Sequence, residues 1–455
     1  MAAGQGAFIC KKAGSLAGRG DDRADGYRVV SAAFPLASSE PQRSADLLTP
    51  DRHVEVVLDL SRLVSRIRHA TPTGVDRVEL AYARELQRRI PDQLFFGAVH
   101  PAGRYGRIPT SRAARFLDAV ERRWTAGASG QAADGWPALL RTLTLVRPAP
   151  VPAARGPRVL LQSSPHHLHR PRLVGAILAR ERAAFACLLH DLIPIDYPEY
   201  ARPGGAALHE RRIRTVAGMA DIVVANSQAT AQSFMPYRQA AGRTAASVVL
   251  AHLGLGGGGR GGHVPSPSTP PYFIAIGTIE PRKNHLLLLN LWRQMVERHA
   301  AGQGPPVPRL VLVGRRGWEN EQVVDMLDRC PALAGVVEEH SGLADHRMRA
   351  LLGGARALLL PSFAEGYGLP VPEALAMGVP VLCSDLPALR EAGGNAPRYL
   401  DPLDGLGWRR EIAALTDPDG PARAAHLSRI AGWRPPSWRE HLAIVLDQIA
   451  RLTSR

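Results

Sequence analysis

The 455-residue chain has little cysteine, which argues against a fold held together by disulfide bonds or by zinc bound to cysteines. Its four cysteines lie far apart in the sequence, and no two of them form a Cys-x-x-Cys pair. A disulfide framework and a zinc site built from cysteines are therefore not predicted, and the composition favours a reducing cytosol.

The chain also lacks a long apolar run. No stretch approaches the roughly 18 to 20 residues that a membrane-spanning helix needs. Residues 1–30 do not contain the apolar core of a secretory signal peptide. We therefore expect a cytoplasmic protein that is either soluble or held peripherally at the inner face of the plasma membrane.

Lysine is nearly absent, although the chain is strongly basic. It occurs only at Lys11, Lys12 and Lys283, so 53 of the 56 basic residues are arginine, and the formal net charge is +15. A solvated arginine-rich surface and a surface that attracts anionic lipid or nucleotide phosphates both explain this charge. Nucleic acid is a disfavoured partner, because the arginines are dispersed and aromatic residues make up only 5% of the chain.

Length and pattern predict more than one domain, because 455 residues exceed one ordinary hydrophobic core. Short apolar segments alternate with helical patterns, which is typical of parallel sheets covered on both faces. We expect an α/β fold with two doubly wound, Rossmann-like domains. The expected division is a disordered leader over residues 1–52, a first domain over 53–252, a Gly/Pro-rich linker over 253–271, a second domain over 272–434, and a helix over 435–455 that returns toward the first domain.

Two glutamates eight positions apart, Glu365 and Glu373, follow a short apolar run. Gly366 and Gly368 lie between them, and the pattern predicts a strand, a glycine loop and a helix opened by Pro372. A helix N-terminus favours phosphate, whereas carboxylates accept hydrogen bonds from sugar hydroxyls. The segment therefore predicts a site for a sugar phosphate or a nucleotide sugar. A glycosidase pair, whose carboxyl groups lie about 5 to 10 Å apart, is an alternative that the spacing leaves open.

A basic pair follows the first predicted strand of the second domain. That strand ends at Gly277 and leads into Arg282 and Lys283. Open α/β sheets bind ligands at the carboxyl ends of their strands, and an adjacent guanidinium and ammonium suit a diphosphate. A solvated charged pair is the alternative, but the rarity of lysine elsewhere favours the diphosphate.

The first domain offers two further candidates. His190 ends a predicted strand, where it is either a ligand contact or a histidine satisfied by the backbone. Gly74 ends the loop after the first strand, where a backbone can approach a ligand closely. His166, His167 and His169 lack acidic neighbours and a ligand spacing, so they are predicted to form a surface loop rather than a metal site.

Together these residues resemble glycosyltransferase family 4, a group with the GT-B fold, and the resemblance spans residues 54 to about 455. Its most specific motif is Glu-x7-Glu at 365–373, and Glu-Pro-Arg-Lys-Asn at 280–284 is similar to the donor-phosphate segment of the family. His-Asp-Leu-Ile-Pro with Pro-Glu-Tyr at 190–200, and Thr-Gly-Val-Asp-Arg-Val at 73–78, resemble a bacterial branch with mannosyltransferases of surface polysaccharide assembly.

The resemblance implies a hexosyltransferase that retains the anomeric configuration and needs no metal or other cofactor. The bacterial branch implies GDP-mannose as the nucleotide sugar, with UDP- and dTDP-sugars left open, and a lipid-linked glycan or polysaccharide, such as lipopolysaccharide, as the acceptor. Arg282 and Lys283 would hold the diphosphate, Glu365 the sugar hydroxyls, His190 the sugar near the reacting carbon, and Glu373 the ribose. The remaining implied donor contacts are Gly74, Gly277, Gly366, Tyr367, Gly368 and Leu369.

Two other classes of function are weighed against transfer. A nucleotide-sugar epimerase or hydrolase on the same fold would require further acid–base residues, and the sequence supplies no clear set. A non-catalytic nucleotide-sugar-binding module would be expected to lose Arg282, Lys283 or Glu365, and all three are present. The sequence also suggests no carboxylate of the first domain as a nucleophile. Sugar transfer is therefore the favoured function.

Overall fold

The structure is a computed structural model that describes residues 54–69, 71–126, 142–243, 246–256 and 270–454. The predicted leader at 1–52 and most of the predicted linker at 253–271 lie outside these ranges.

The first sheet has seven strands in the order β3-β2-β1-β4-β5-β6-β7. All neighbouring strands are parallel except β2 and β3, which are antiparallel. This antiparallel edge strand adds to the predicted parallel sheet, and the short connection at 100–104 makes β2 and β3 a hairpin. The strands are β1 Glu55–Asp59, β2 Leu94–Val99, β3 Tyr105–Ile108, β4 Arg158–Gln162, β5 Ala184–Leu189, β6 Ile222–Ala225 and β7 Ser247–Leu250.

The second sheet has six parallel strands in the order β10-β9-β8-β11-β12-β13. In both sheets the strand order reverses at the centre, between β1 and β4 and between β8 and β11, and such switch points bind ligands at the carboxyl edge. The strands are β8 Tyr272–Ile276, β9 Arg309–Val313, β10 Val337–His340, β11 Leu358–Leu360, β12 Val381–Ser384 and β13 Arg398–Leu400.

Each sheet is buried on both faces, as the predicted α/β class requires. In β1, Val56 and Leu58 enter one hydrophobic cluster and Val57 enters the other. In β8, Ile274 and Phe273 divide in the same way. This alternation follows from the two-residue period of a strand, and it explains why these strands appear in the sequence as continuous apolar runs.

Helices cover both sheets. None of those in the described ranges combines the length and apolarity that a membrane span requires. Around the first sheet lie Ser61–Ser65, Gly74–Arg89, Thr110–Ala126, Pro171–Glu181, Ile193–Asp196, Gly205–Met219 and Gln228–Ala240, and around the second lie His285–Ala300, Glu321–Arg329, Asp345–Gly354, Pro370–Ala376, Pro387–Gly393, Gly405–Thr416 and Pro421–Gly432.

The last helix, Trp438–Thr453, packs against the first domain although it follows the second in sequence. It begins after Ser437, whose hydroxyl accepts a hydrogen bond from the backbone at the start of the helix. Leu442, Val445 and Ile449 are buried in the same cluster as β1. The first core is therefore completed by residues from the end of the chain.

The two chain segments that pass between the domains touch each other. Leu255 donates its backbone N–H to the carbonyl of Pro436 over 3.2 Å. A Cβ at Gly254 would lie 2.1 Å from the backbone nitrogen of Trp438, so only glycine fits there.

Candidate active site

A cleft of about 820 Å³ separates the carboxyl edges of the two sheets. Its size lies within the range of small-molecule sites. The structure brings every predicted site residue to this cleft, namely His190, Arg282, Lys283, Glu365, Gly74, Gly277, Gly366, Tyr367, Gly368, Leu369 and Glu373. The roles of these residues stay predictions, but their assembly from two domains shows that the sequence motifs belong to one site.

Glu365 is the centre of a buried cluster of charges in the second domain. Its carboxylate accepts hydrogen bonds from Nζ of Lys283, from Nη1 of Arg282 over 3.0 Å, and from Oγ of Ser362 over 2.7 Å. Arg282 also contacts Glu280 through Nη2 over 2.7 Å. The side chain of Glu365 is 7% exposed. The groups predicted to bind sugar and diphosphate are thus bound to one another.

The cluster fixes the charges of its members. Burial raises the pKa of Glu365, but Lys283 and Arg282 outweigh it and hold that pKa at about 2. Burial likewise opposes the charge of Arg282, and the carboxylates of Glu365 and Glu280 reverse the effect and raise its pKa. Glu365 is therefore an anion and Arg282 a cation throughout the neutral range.

The turn that carries the basic pair depends on Gly277, which ends β8. Gly277 has φ +145°, and a Cβ there would lie 3.2 Å from Cε of Lys283. Glycine lets the Lys283 stem pass close to the strand end. The turn Pro281–Lys283 is then anchored to the other motif, since Phe363 donates its N–H to the carbonyl of Arg282 over 2.8 Å.

The helix after the Glu365 loop is short and begins at Pro370, so the prediction that Pro372 opens it is wrong. Gly368 adopts φ +80°, and a Cβ there would lie 2.2 Å from Cδ2 of Leu389. This left-handed turn redirects the backbone earlier than the sequence suggests, and Pro370 then takes the first helical position. Glu373 lies in the first turn of this helix.

The loop between the two glutamates lies directly against the first domain. A Cβ at Gly366 would lie 2.2 Å from the carbonyl oxygen of His190, and the Gly366 carbonyl accepts a hydrogen bond from Oγ of Ser227 over 2.7 Å. Within the parts of the chain that the structure describes, the backbone amides of residues 366–369 donate to no acceptor. They are donors available to a ligand in the cleft.

His190 fits both alternatives that the sequence left open, a ligand contact and a histidine hydrogen-bonded to the backbone. It lines the cleft, and its Nε2 lies 2.8 Å from the carbonyl oxygen of Ser163. Because a carbonyl only accepts, Nε2 carries the proton and Nδ1 is left with its lone pair. Burial lowers the pKa of His190, which keeps the imidazole neutral at neutral pH.

Asp191 is a first-domain carboxylate in the cleft that sequence reasoning missed. Its Oδ1 accepts the backbone N–H of Ile193 over 3.2 Å, so it also fixes the turn that follows His190. It lies close enough to Arg282 to raise the pKa of that residue. Its position directly after His190 was the signal that could have identified it.

The first domain presents Gly74 to the cleft at the start of helix Gly74–Arg89. Thr73 and Asp76 cap this helix reciprocally. Asp76 is fully buried and binds Nε of Arg62 over 2.6 Å and Nε of Arg66 over 3.2 Å. Both arginines line the cleft, and the sequence analysis missed them. The signal that could have identified them is the Thr-x-x-Asp spacing of a capping box, because its aspartate also pairs with both arginines.

Glu373 is bound from the opposite domain. Arg77 donates through Nη1 to Oε1 of Glu373 over 3.4 Å and through Nη2 to Oδ1 of Asp345 over 2.8 Å. Burial raises the pKa of Glu373, and Arg77 opposes that rise. Arg77 was missed because its partners lie more than 260 residues away in sequence.

The histidines at 166, 167 and 169 lie in a turn between β4 and helix Pro171–Glu181, where each is partly exposed. The rings of His166 and His167 pack with their centroids 4.0 Å apart, and burial lowers the pKa of His166 to about 3. Across the described ranges, no group of three or more His, Cys, Asp or Glu side chains is arranged to hold a metal ion.

Comparison with known proteins gives a family match over the second domain. Residues 263–397 match the model of the family described as Glycosyl transferases group 1. The O-antigen chain mannosyltransferase B of Escherichia coli is 37% identical over 133 residues, which cover 29% of this chain and 33% of that protein. The serotype-specific mannosyltransferase WbdA of Escherichia coli is 28% identical over 306 residues, which cover 61% of this chain and 35% of that protein. The chain thus spans about a third of the length of these curated relatives.

The fold has a counterpart among solved structures. The crystal structure of Anabaena HepE in complex with UDP and glucose has a TM-score of 0.54 to this chain, with 17% identity over 88% of this chain and 99% of that one. At this identity the likeness shows the fold, and the predicted GT-B arrangement is confirmed. The predicted resemblance to glycosyltransferase family 4 is confirmed as well: the chain is a GT-B protein whose second domain carries the glycosyl transferases group 1 segment, and it is similar to an O-antigen chain mannosyltransferase and to a serotype-specific mannosyltransferase.

Proposed function

We propose that this protein transfers a hexose, mannose, from a nucleotide sugar to a lipid-linked glycan or polysaccharide, with retention of the anomeric configuration and without a metal or other cofactor. The observation that carries the proposal is the cluster of Glu365, Arg282 and Lys283 in a cleft that Gly74 and His190 line from the other domain. Two cations beside a carboxylate provide partners for a diphosphate and for sugar hydroxyls in adjacent positions.

In the proposed reaction the diphosphate replaces Glu365 as a partner of Arg282 and Lys283. The bond between the anomeric carbon and the phosphate oxygen then breaks, and the two cations stabilise the charge that grows on the departing phosphate. The acceptor hydroxyl attacks the same face and passes its proton to the departing oxygen. A bond to the acceptor oxygen replaces the bond to phosphate, and no protein nucleophile takes part.

The first domain and the loop position the sugar in this scheme. Glu365, released from part of its ion pairing, accepts hydrogen bonds from sugar hydroxyls, and the amides of residues 366–369 donate to the donor. His190 offers Nδ1 as an acceptor to a hydroxyl near the reacting carbon, since its Nε2 is committed to Ser163. Neutral His190 suits this task because protonated imidazole has no acceptor.

The identity of the sugar rests on the relatives. The relatives reported above are named an O-antigen chain mannosyltransferase and a serotype-specific mannosyltransferase, which supports mannose and an acceptor in O-antigen assembly. HepE was crystallised with UDP and glucose, which supports a nucleotide sugar of some kind in this cleft. GDP-mannose is therefore the first donor to test, and UDP-sugars are the second.

The glycosidase alternative meets an electrostatic objection. A general acid of a glycosidase needs a raised pKa so that it carries a proton at working pH. The pKa of Glu365 is about 2, because Lys283 and Arg282 outweigh its burial. Glu365 therefore has no proton to give and cannot be the general acid. That task would fall to Glu373, whose pKa burial raises and whose protonation Arg77 opposes.

A donor panel tests the proposal. Purified protein is incubated with GDP-mannose, UDP-glucose and other nucleotide sugars, with and without lipid-linked acceptors, and nucleotide release is measured. We expect release that depends on acceptor, that EDTA leaves unchanged, and that Arg282→Ala reduces strongly; proton NMR of the product then reports the anomeric configuration. If the protein consumes none of these donors and Arg282→Ala leaves nucleotide binding unchanged, the proposal is contradicted. Acceptor-independent release identifies a hydrolase instead.

We also propose a peripheral contact with an anionic membrane on the cytoplasmic side, where a lipid-linked acceptor is presented. The net charge of +15 supports it. Sedimentation with vesicles that contain phosphatidylglycerol, compared with neutral vesicles, tests this contact, and equal binding to both contradicts it.

A further inference from the structure

Arg77 joins the two domains at the end of the cleft that holds Glu373. Nη2 of Arg77 donates to Asp345 over 2.8 Å and Nη1 donates to Glu373 over 3.4 Å. Arg77 belongs to the first turn of helix Gly74–Arg89, whereas both acceptors belong to helices of the second domain. The guanidinium is therefore an interdomain link that lies one helical turn from Gly74.

The bond to Asp345 orients the guanidinium toward Glu373. A planar guanidinium that is fixed through one nitrogen presents the other in a defined direction. Arg77 is 31% exposed and lines the cleft, as does Glu373. Arg77 uses only Oε1 of Glu373, and within the described ranges Oε2 accepts no hydrogen bond. One carboxylate oxygen is thus held and the other is available to a ligand.

The charge of Glu373 depends on its surroundings. Burial raises the pKa of its carboxyl, and the facing groups are Arg77 and Arg349, which lower it, and Asp345, which raises it. An ionised carboxylate accepts hydrogen bonds from both hydroxyls of a vicinal diol, whereas a protonated carboxyl gives up one acceptor position to its own proton. The partner that keeps Glu373 ionised therefore decides how well it binds a diol.

We propose that Arg77 is a positioning residue for the donor: it holds Oε1 of Glu373 so that the ionised carboxylate presents Oε2 to the ribose diol of the nucleotide. This inference rests on the proposed function, in which Glu373 binds ribose. Because Gly74 begins the same helix, one helix end contributes both the close backbone approach to the phosphates and the support for the ribose contact.

Calorimetric binding of nucleotides to the full chain tests this inference. GDP and UDP are each compared with the 2′,3′-dideoxy analogue between about pH 6 and pH 9, for the wild type, Arg77→Gln and Arg77→Lys. We expect the wild type to prefer the ribonucleotide across this range. Arg77→Gln loses about tenfold of the preference near neutral pH and regains part of it as pH rises, because without Arg77 only Arg349 opposes the rise in the pKa of Glu373 that burial and Asp345 cause. Arg77→Lys keeps most of the preference.

Arg88→Gln is the matched control. Arg88 lies on the same helix, its side chain is 67% exposed, and it pairs with Glu85 outside the cleft. We expect its nucleotide binding to equal that of the wild type at every pH. Circular dichroism of each variant shows whether the fold is kept.

The possible failures are distinguishable. A ribose preference that survives unchanged in Arg77→Gln overturns the inference alone. A preference lost equally at every pH also overturns it, because Arg77 would then act on the fold rather than on the charge of Glu373. A wild-type protein that binds nucleotide without any ribose preference overturns both the inference and the ribose assignment of Glu373, and one that binds no nucleotide overturns the proposed function itself.

Discussion

Single residues in the cleft have charges set by their immediate neighbours rather than by solvent. Glu365 is almost fully buried, yet Lys283 and Arg282 keep its pKa near the bottom of the carboxyl range. His190 is kept neutral by the same burial that Glu365 resists. One cleft therefore contains a permanent anion and a neutral hydrogen-bond acceptor, which in the proposed reaction bind different hydroxyls of the sugar donor.

Glu365→Gln tests the permanent anion. We expect the rate of sugar transfer to fall by about 100-fold, since the neutral amide has one acceptor oxygen instead of two and holds the sugar hydroxyls less well. Because the pKa of Glu365 lies at about 2, the carboxylate stays charged well below neutral pH, so the acid limb of the wild-type pH–rate profile has another origin and persists in the variant. Ser362→Ala, which removes one hydrogen bond to the same carboxylate, serves as a milder control. Full activity in Glu365→Gln would contradict the role.

Gly74→Ala separates ligand contact from folding. The nearest atom to a Cβ at this position is Cδ1 of Leu369 at 3.7 Å, an ordinary contact, so the variant is expected to keep its thermal stability. If the Gly74 backbone approaches the donor phosphates, the new methyl group intrudes on them, and nucleotide affinity falls by about tenfold or more. Isothermal titration with GDP and UDP measures this, and an unchanged affinity would show that Gly74 does not face the phosphates.

At the scale of elements, the sequence predicts strands that are continuous apolar runs, such as β8 at Tyr272–Ile276, because burial on both faces leaves a clear pattern. It missed β3, Tyr105–Ile108, which contains Gly106 and a buried Arg107. Arg107 is tolerated because its Nε donates to Oε1 of Glu181 over 2.7 Å, a partner 74 residues away. A buried charge cannot be predicted from its own segment when the compensating charge lies in another.

The helix Trp438–Thr453 shows what an element contributes beyond its own domain. Leu442 is fully buried in the first core, so Leu442→Ala leaves a cavity and is expected to cost about 2 to 5 kcal/mol in the free energy of unfolding. Chemical denaturation followed by fluorescence measures the loss. Leu427→Ala is the control, because that side chain is 36% exposed and a small effect is expected. Similar losses for both variants would contradict the packing described for this helix.

At the scale of the whole molecule, the two domains are held together by polar contacts as well as by the crossing segments. The carboxylate of Glu391 accepts the backbone N–H groups of Gln228 over 2.6 Å and Ala229 over 3.2 Å, and it contacts His252 over 3.2 Å. A second-domain side chain thus caps a first-domain helix. None of these pairs could be predicted, because their members lie more than 130 residues apart and only the folded arrangement brings them together.

Glu391→Ala tests that cap. Loss of the carboxylate leaves two helix-end donors without their partner, and we expect a destabilisation of about 1 to 3 kcal/mol together with a looser arrangement of the domains. Thermal unfolding and small-angle scattering measure the two effects. Glu411→Ala removes a carboxylate that pairs with Arg398 inside the second domain, so it should leave the scattering profile unchanged. An unchanged profile in Glu391→Ala would show that the cap does not hold the domains.

The contact between Gly254 and Trp438 has a consequence for dissecting the molecule. A fragment that begins at residue 270 carries Leu442, Val445 and Ile449, which belong to the core of the other domain, and a fragment that ends at residue 256 lacks them. Neither half is self-sufficient when the chain is cut between the domains, and the two pieces are expected to recombine through this helix, as complementary fragments of a split protein do. An independent first domain would require the last helix to be grafted back onto it.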